Sequence, residues 1–165
     1  MKLIAEKRSK HDKYDQLRYL RDDGSETGTI MPRQGILPHD LVHYVVESNL
    51  ALQHGFTNLV ARGADASFTM EMTHDKTNVS VGTEAIQIEA IVEALQAQLW
   101  SGVFDQEAFL EGVRGACAAR DKPVYQFTQC NPQILFDQAV ELNQRWQATG
   151  HFQKLELDFA PRKAD

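Results

Sequence analysis

His39 and His43 lie four residues apart in the segment Leu37-Pro38-His39-Asp40-Leu41-Val42-His43-Tyr44-Val45-Val46-Glu47. On a helix that spacing stacks two side chains on one face, so both imidazoles can reach a single metal ion, as in zinc hydrolases that carry His-Glu-x-x-His. Asp40 stands where that motif has its glutamate base, but it is one methylene shorter. In a hydrolase reading Asp40 or Glu47 would activate a zinc-bound water. Glu47 cannot also be the third ligand, because eight residues of helix rise roughly 12 Å. That donor would have to come from His54, His74, Asp75 or farther along the chain.

A second reading of the same residues is architectural, and it is the favoured one. Pro38 suits the first turn of a helix, where its missing N–H costs nothing. His39 and Asp40 then sit at the positive end of the helix dipole, which repels a dication and welcomes a carboxylate. Leu41, Val42, Val45 and Val46 form the buried side of such a helix. His39, His43 and Glu47 would run along its border, with His43 and Glu47 paired at i,i+4. No cofactor is required by this reading; zinc is the cofactor of the alternative.

The approach to the helix, Met31-Pro32-Arg33-Gln34-Gly35-Ile36, is polar and stiff. Arg33 and Gln34 could bind a small anion beside the helix N-terminus, or simply cap it. Tyr44 is a further candidate ligand contact, although an amphipathic aromatic at a core border needs no ligand. Trp100 and Trp146 read as core or interface anchors. Serine-hydrolase elbows, Walker loops and dinucleotide-binding glycine turns are all missing from the sequence.

The elements that must position these residues follow from periodicity. Leu3 to Arg8, Tyr14 to Arg21 and Glu26 to Met31 read as strands, with Asp22-Asp23-Gly24-Ser25 as the tight turn between the second and third. A helix is expected from Pro38 to about Leu52, and a short one from Gly55 to Arg62 that Gly63 stops. Ile88, Ile91, Val92, Leu95 and Leu99 make an apolar stripe, placing Gln87, Glu89, Glu93 and Gln96 on the opposite, polar side. Asp105 can cap the next helix, and Asn131-Pro132 opens another that ends at Gly150. Leu155, Leu157 and Phe159 alternate with polar residues as a half-buried strand. Residues 66 to 82 read equally as a hairpin or a mobile loop. The expected fold is α+β: a small antiparallel sheet from the N-terminal strands and the C-terminal strand, packed on one face by four to five helices.

A chain of 165 residues with 42% apolar content suits one domain with its own core. No run of apolar residues is long enough to cross a bilayer, and no secretory signal pattern opens the sequence, so a cytoplasmic setting is expected. Two cysteines, Cys117 and Cys130, match no zinc-ribbon or redox spacing. A net charge of −6 argues against nucleic acid as a partner.

The stretch Leu37 to Glu47, and more faintly Leu142-Asn143-Gln144-Arg145-Trp146 with Leu155-Glu156-Leu157, resembles a group of uncharacterised bacterial proteins. The resemblance covers about a fifth of the chain, and it implies a bacterial, cytoplasmic setting but no activity and no catalytic residue. The resulting expectation is a non-catalytic domain that binds a small molecule or a protein, a second copy of itself included. Its contact surface would be the Arg33-Gln34 loop and the His39/His43 helix border.

Overall fold

Residues 1–67 and 82–161 are described by the structure, a computed structural model. Alternation of apolar and polar residues along β1 (Lys2–Glu6), β2 (Tyr14–Leu20), β3 (Glu26–Pro32) and β4 (Lys154–Asp158) builds one antiparallel sheet in the order β3-β2-β1-β4. The register puts Leu3 opposite both Tyr19 and Leu157, and Ala5 opposite both Leu17 and Leu155. Leu3, Ala5, Leu17, Tyr19, Met31 and Leu157 are thereby buried on one face. Lys2, Glu6, Arg18 and Glu156 alternate with them, and the opposite-charge pairs Lys2–Glu156 and Arg18–Glu26 lie across neighbouring strands. Burying a leucine side chain of this kind contributes about 1.5–3 kcal/mol, so the period-two pattern fixes which face meets the helices.

Among the described residues five helices follow β3: α1 (His39–Asn49), α2 (Phe56–Ala61), α3 (Thr83–Ser101), α4 (Gln106–Ala118) and α5 (Pro132–Ala148). The expected α+β architecture, with N- and C-terminal strands in one sheet, is the one found. Asp105 caps α4 by accepting from the Ala108 N–H, and Asn131 caps α5 from the Gln133 N–H with Pro132 directly after it. α3 stops at Gly102, whose φ of +75° glycine adopts without strain. The β2–β3 connection turns at Gly24, where φ is +85° and Arg21 and Ser25 close the loop. Pro38 precedes the first residue of α1, one position before the expected first turn, and its carbonyl accepts from Leu41 and Val42.

The core lies between the sheet and a layer formed by α1, α3 and α5, with α4 packed on α3. Ile88, Ile91, Val92 and Leu95 of α3 are buried there as the stripe predicts. Trp146 is buried, whereas Trp100 is 61% exposed and anchors no core. Among the described residues no helix is long and apolar enough to cross a membrane. Most of the stretch from 66 to 82, and with it His74 and Asp75, lies outside the described residues.

Candidate metal centre

α1 is amphipathic in the expected sense, with Leu41, Val42, Val45 and Val46 in the core. Of its histidines, His43 is buried and His39 is partly exposed. α3 packs along that edge of α1, and the polar partners occur in opposite order on the two helices: His39 meets Gln96, and His43 meets Glu89. The two imidazoles stand edge to face, with centroids 4.9 Å apart.

Both rings offer Nε2 to the same carboxylate. His43 Nε2 lies 3.1 Å from Glu89 Oε2, and His39 Nε2 lies 3.3 Å from Glu89 Oε1. Each Nδ1 is held from behind, that of His43 by Glu47 Oε1 at 3.2 Å and that of His39 by Gln96 Oε1 at 3.3 Å. An acceptor at Nδ1 favours a proton there, so that Nε2 is the nitrogen that would be deprotonated to bind a metal. His43 and Glu89 are almost fully buried, while the His39 side chain keeps 22% of its exposure and marks the side nearest solvent.

His39, His43 and Glu89 could hold a metal ion: one donor atom from each lies within 4.8 Å of the other two. Zinc bonds of about 2.0–2.1 Å at tetrahedral angles put neighbouring donors about 3.3 Å apart. The two nitrogen-to-oxygen distances, 3.1 and 3.3 Å, match that edge but run to different oxygens of Glu89. Binding through one carboxylate oxygen therefore asks for the three donors to draw together from within 4.8 Å. Two imidazoles and one carboxylate form a set that leaves a fourth position open.

Charge in the group is set by its isolation from water. Burial alone would push the His43 imidazole down, but hydrogen bonds and charge from Glu47 and Glu89 outweigh it and raise its pKa to about 10. Burial would likewise raise Glu89, yet the hydrogen bonds and charges of His39 and His43 hold its carboxyl far below the usual range. His43 thus carries a proton where a dication would otherwise sit, and Glu89 stays anionic.

The sequence candidates divide. The expected i,i+4 pair of His43 and Glu47 is present, and Glu47 is completely buried. Its Oε1 also accepts from the Thr57 N–H at 3.0 Å, and its Oε2 accepts from the Asn58 N–H and side-chain amide, both at 2.9 Å. Those are the open backbone donors at the start of α2, a helix with no side-chain cap of its own. A Cβ at Gly55 would collide with the Glu47 carboxylate, so glycine is required where the chain passes it. Asp40 is buried as well, and its charge acts on the hydroxyl of Tyr19, which burial first of all drives well above its ordinary pKa. Neither Asp40 nor Glu47 is part of the converging donor group. His54 pairs with Glu84 elsewhere, its side chain 61% exposed.

Arg33 and Gln34 line one cleft, but not as unengaged side chains. Arg33 grips Asp15 through Nε and Nη2 and also donates to the carbonyls of Arg8 and Ser9. Gln34 donates to the Leu37 carbonyl. Tyr44 is not with them: its hydroxyl donates to the Asp158 carbonyl and its ring lies against Phe159.

Sequence reasoning missed Glu89 and Gln96 by assigning them to the polar side of α3. A signal was present, because Val92 lies three residues after Glu89 and four before Gln96, so all three share one face. A stripe that buries Val92 carries the other two at its edge. Compared with protein-family models, with curated proteins and with solved structures, the chain finds no match in any of the three.

Proposed function

We propose that the protein is a zinc-binding domain whose ion is held by His39, His43 and Glu89, with the fourth position left to water or to a donor atom of a ligand. What carries the reading is the anchoring of both rings: each Nδ1 has an acceptor behind it while both Nε2 atoms lie within 3.3 Å of one carboxylate. Bound zinc would tie α1 to α3 and displace the His43 proton, coupling metal affinity to pH and to fold stability. The domain would then bind its small molecule or protein partner through the ion's open position, on the side where His39 meets solvent.

A zinc-dependent hydrolase draws on the same three donors, since two histidines and a glutamate also serve catalytic sites. It needs a base, and of the α1 carboxylates Glu47 is engaged with α2 while Asp40, though buried, is not part of the converging donor group. Binding is therefore the better supported use.

The test is calorimetric titration of chelator-stripped protein with zinc. One equivalent should bind with micromolar affinity or better, and His39→Ala and Glu89→Ala should each weaken it by about a hundredfold or more while circular dichroism stays native. Wild-type protein that binds zinc no more tightly than these variants would remove the reading.

A further inference from the structure

We propose that the cleft beside Lys7 binds a small carboxylate carrying an aromatic or apolar body. The cleft has a volume of about 250 Å³ and lies between the end of β1, the segment from Arg33 to Pro38 and the end of α5. Pro38 borders it, but none of His39, His43 and Glu89 does, so the proposal stands apart from the zinc reading.

Charge selects the ligand. Lys7 and Arg33 face the cleft with one carboxylate, Asp15, which is already satisfied by Arg33 and by the Arg8 N–H. Taking His151 as neutral, one positive charge is left over among the lining residues, in a chain whose net charge is −6. The Lys7 ammonium rests 5.1 Å over the Trp146 ring and makes a long 3.3 Å bond to the Gln147 carbonyl. Burial lowers its pKa, with Asp15 pulling back and Arg33 adding to the push, as expected of a cation short of water and of a close acceptor. Arg33 spends Nε and Nη2 on Asp15 and on two backbone carbonyls, while Nη1 makes no hydrogen bond among the described residues. A single carboxylate has an oxygen for each of these cations. Doubly charged phosphate would overbalance them, and Ile36, Pro38 and Trp146 offer walls that suit carbon instead.

The turn that carries His151 is fixed against the cleft. Phe152 has φ of +61° at the third position of the Gly150–Gln153 turn, where glycine is the ordinary residue, and its side chain is 64% exposed. The strained turn is fastened to the strand end that bears Lys7: the Phe152 N–H donates to the Lys7 carbonyl at 2.6 Å, and the Lys7 N–H to Gln153 at 3.2 Å. His151 Nδ1 lies 2.7 Å from the Arg8 carbonyl. These backbone bonds hold the turn in that state and fix His151 at the cleft wall, although Phe152 itself does not line the cleft.

The probe is sodium benzoate, titrated into the full-length protein and followed by proton–nitrogen NMR, with neutral benzamide and inorganic phosphate as comparisons. Benzoate should give saturable shifts at Lys7, Gln147 and His151 with millimolar affinity, and benzamide and phosphate should bind about tenfold more weakly or not at all. Lys7→Met, which keeps the stem over Trp146, should lose about tenfold in benzoate affinity. Phe152→Gly should raise Tm by relieving the backbone and leave benzoate affinity at the wild-type value, since Phe152 does not line the cleft. Benzamide or phosphate binding as well as benzoate, shifts centred elsewhere, no saturable shift in the millimolar range, or wild-type affinity in Lys7→Met would overturn the proposal.

Discussion

Of the histidine–glutamate pairs among the described residues, His54–Glu84 and His43–Glu89 make the clearest contrast, and the shorter is the less consequential. His54 Nδ1 lies 2.7 Å from Glu84, with side chains 61% and 35% exposed. His43 Nε2 lies 3.1 Å from Glu89, with side chains 5% and 9% exposed. Water screens the first pair and competes for its atoms, so it ranks with surface ion pairs that contribute about 0–1 kcal/mol. Around the second, Glu47, Gln96 and His39 take the place of water, and each further group fixes a tautomer or a direction. Isolation and the groups standing behind a pair, more than its length, decide whether it can do chemistry.

The largest difference between the regions should appear when the support of the buried pair is removed. Glu47→Ala removes one of the two carboxylates facing His43, leaves its Nδ1 without that acceptor and uncaps α2, and should cost about 2–4 kcal/mol in urea unfolding. Gly55→Ala pushes a methyl into the same carboxylate and should cost about 1–3 kcal/mol, with Tm falling accordingly.

pH separates the pairs further. His43 has a folded pKa of about 10 against an ordinary 6.5, so its stabilisation in metal-free protein is complete below pH 6.5 and is lost as pH rises through 10. Urea midpoints of chelator-treated protein should fall across that window, and His54→Ala should leave the fall unchanged. Zinc affinity should run the other way and rise with pH over the same window, since the ion displaces the His43 proton. Gln96→Leu, which releases His39 Nδ1 without touching a ligand, should weaken zinc binding by about tenfold in calorimetry. The smallest effect belongs to His54→Ala, which should shift stability by no more than about 0.5 kcal/mol and leave zinc affinity at the wild-type value.

Period-two and period-3.6 patterning carried most of the fold, because Leu3, Leu17, Tyr19 and Leu157 on the strands and Ile88, Ile91 and Leu95 on α3 have to be covered. Turn and cap chemistry placed Gly24, Asp105 and Asn131 for equally local reasons. The site was legible only in its local half. His39, His43 and the His43–Glu47 pair belong to one helix, so spacing alone brings them together. Glu89 and Gln96 reach them from a helix more than forty residues away, and no local rule says which edge of α3 lies against α1. The same holds for the further partners of Glu47, Thr57 and Asn58, which become visible only once α2 is docked. Trp100 is the converse case, since helical spacing suited it to a core that ends one residue earlier.

X-ray absorption at the zinc edge of protein loaded with one equivalent of zinc tests the central claim most directly. A centre built from His39, His43 and Glu89 gives a four-coordinate nitrogen and oxygen shell at about 2.0–2.1 Å, with outer-shell scattering from two imidazoles that drops to one in His39→Ala. A shell without imidazole scattering, or one that His39→Ala and Glu89→Ala leave unchanged, would contradict it.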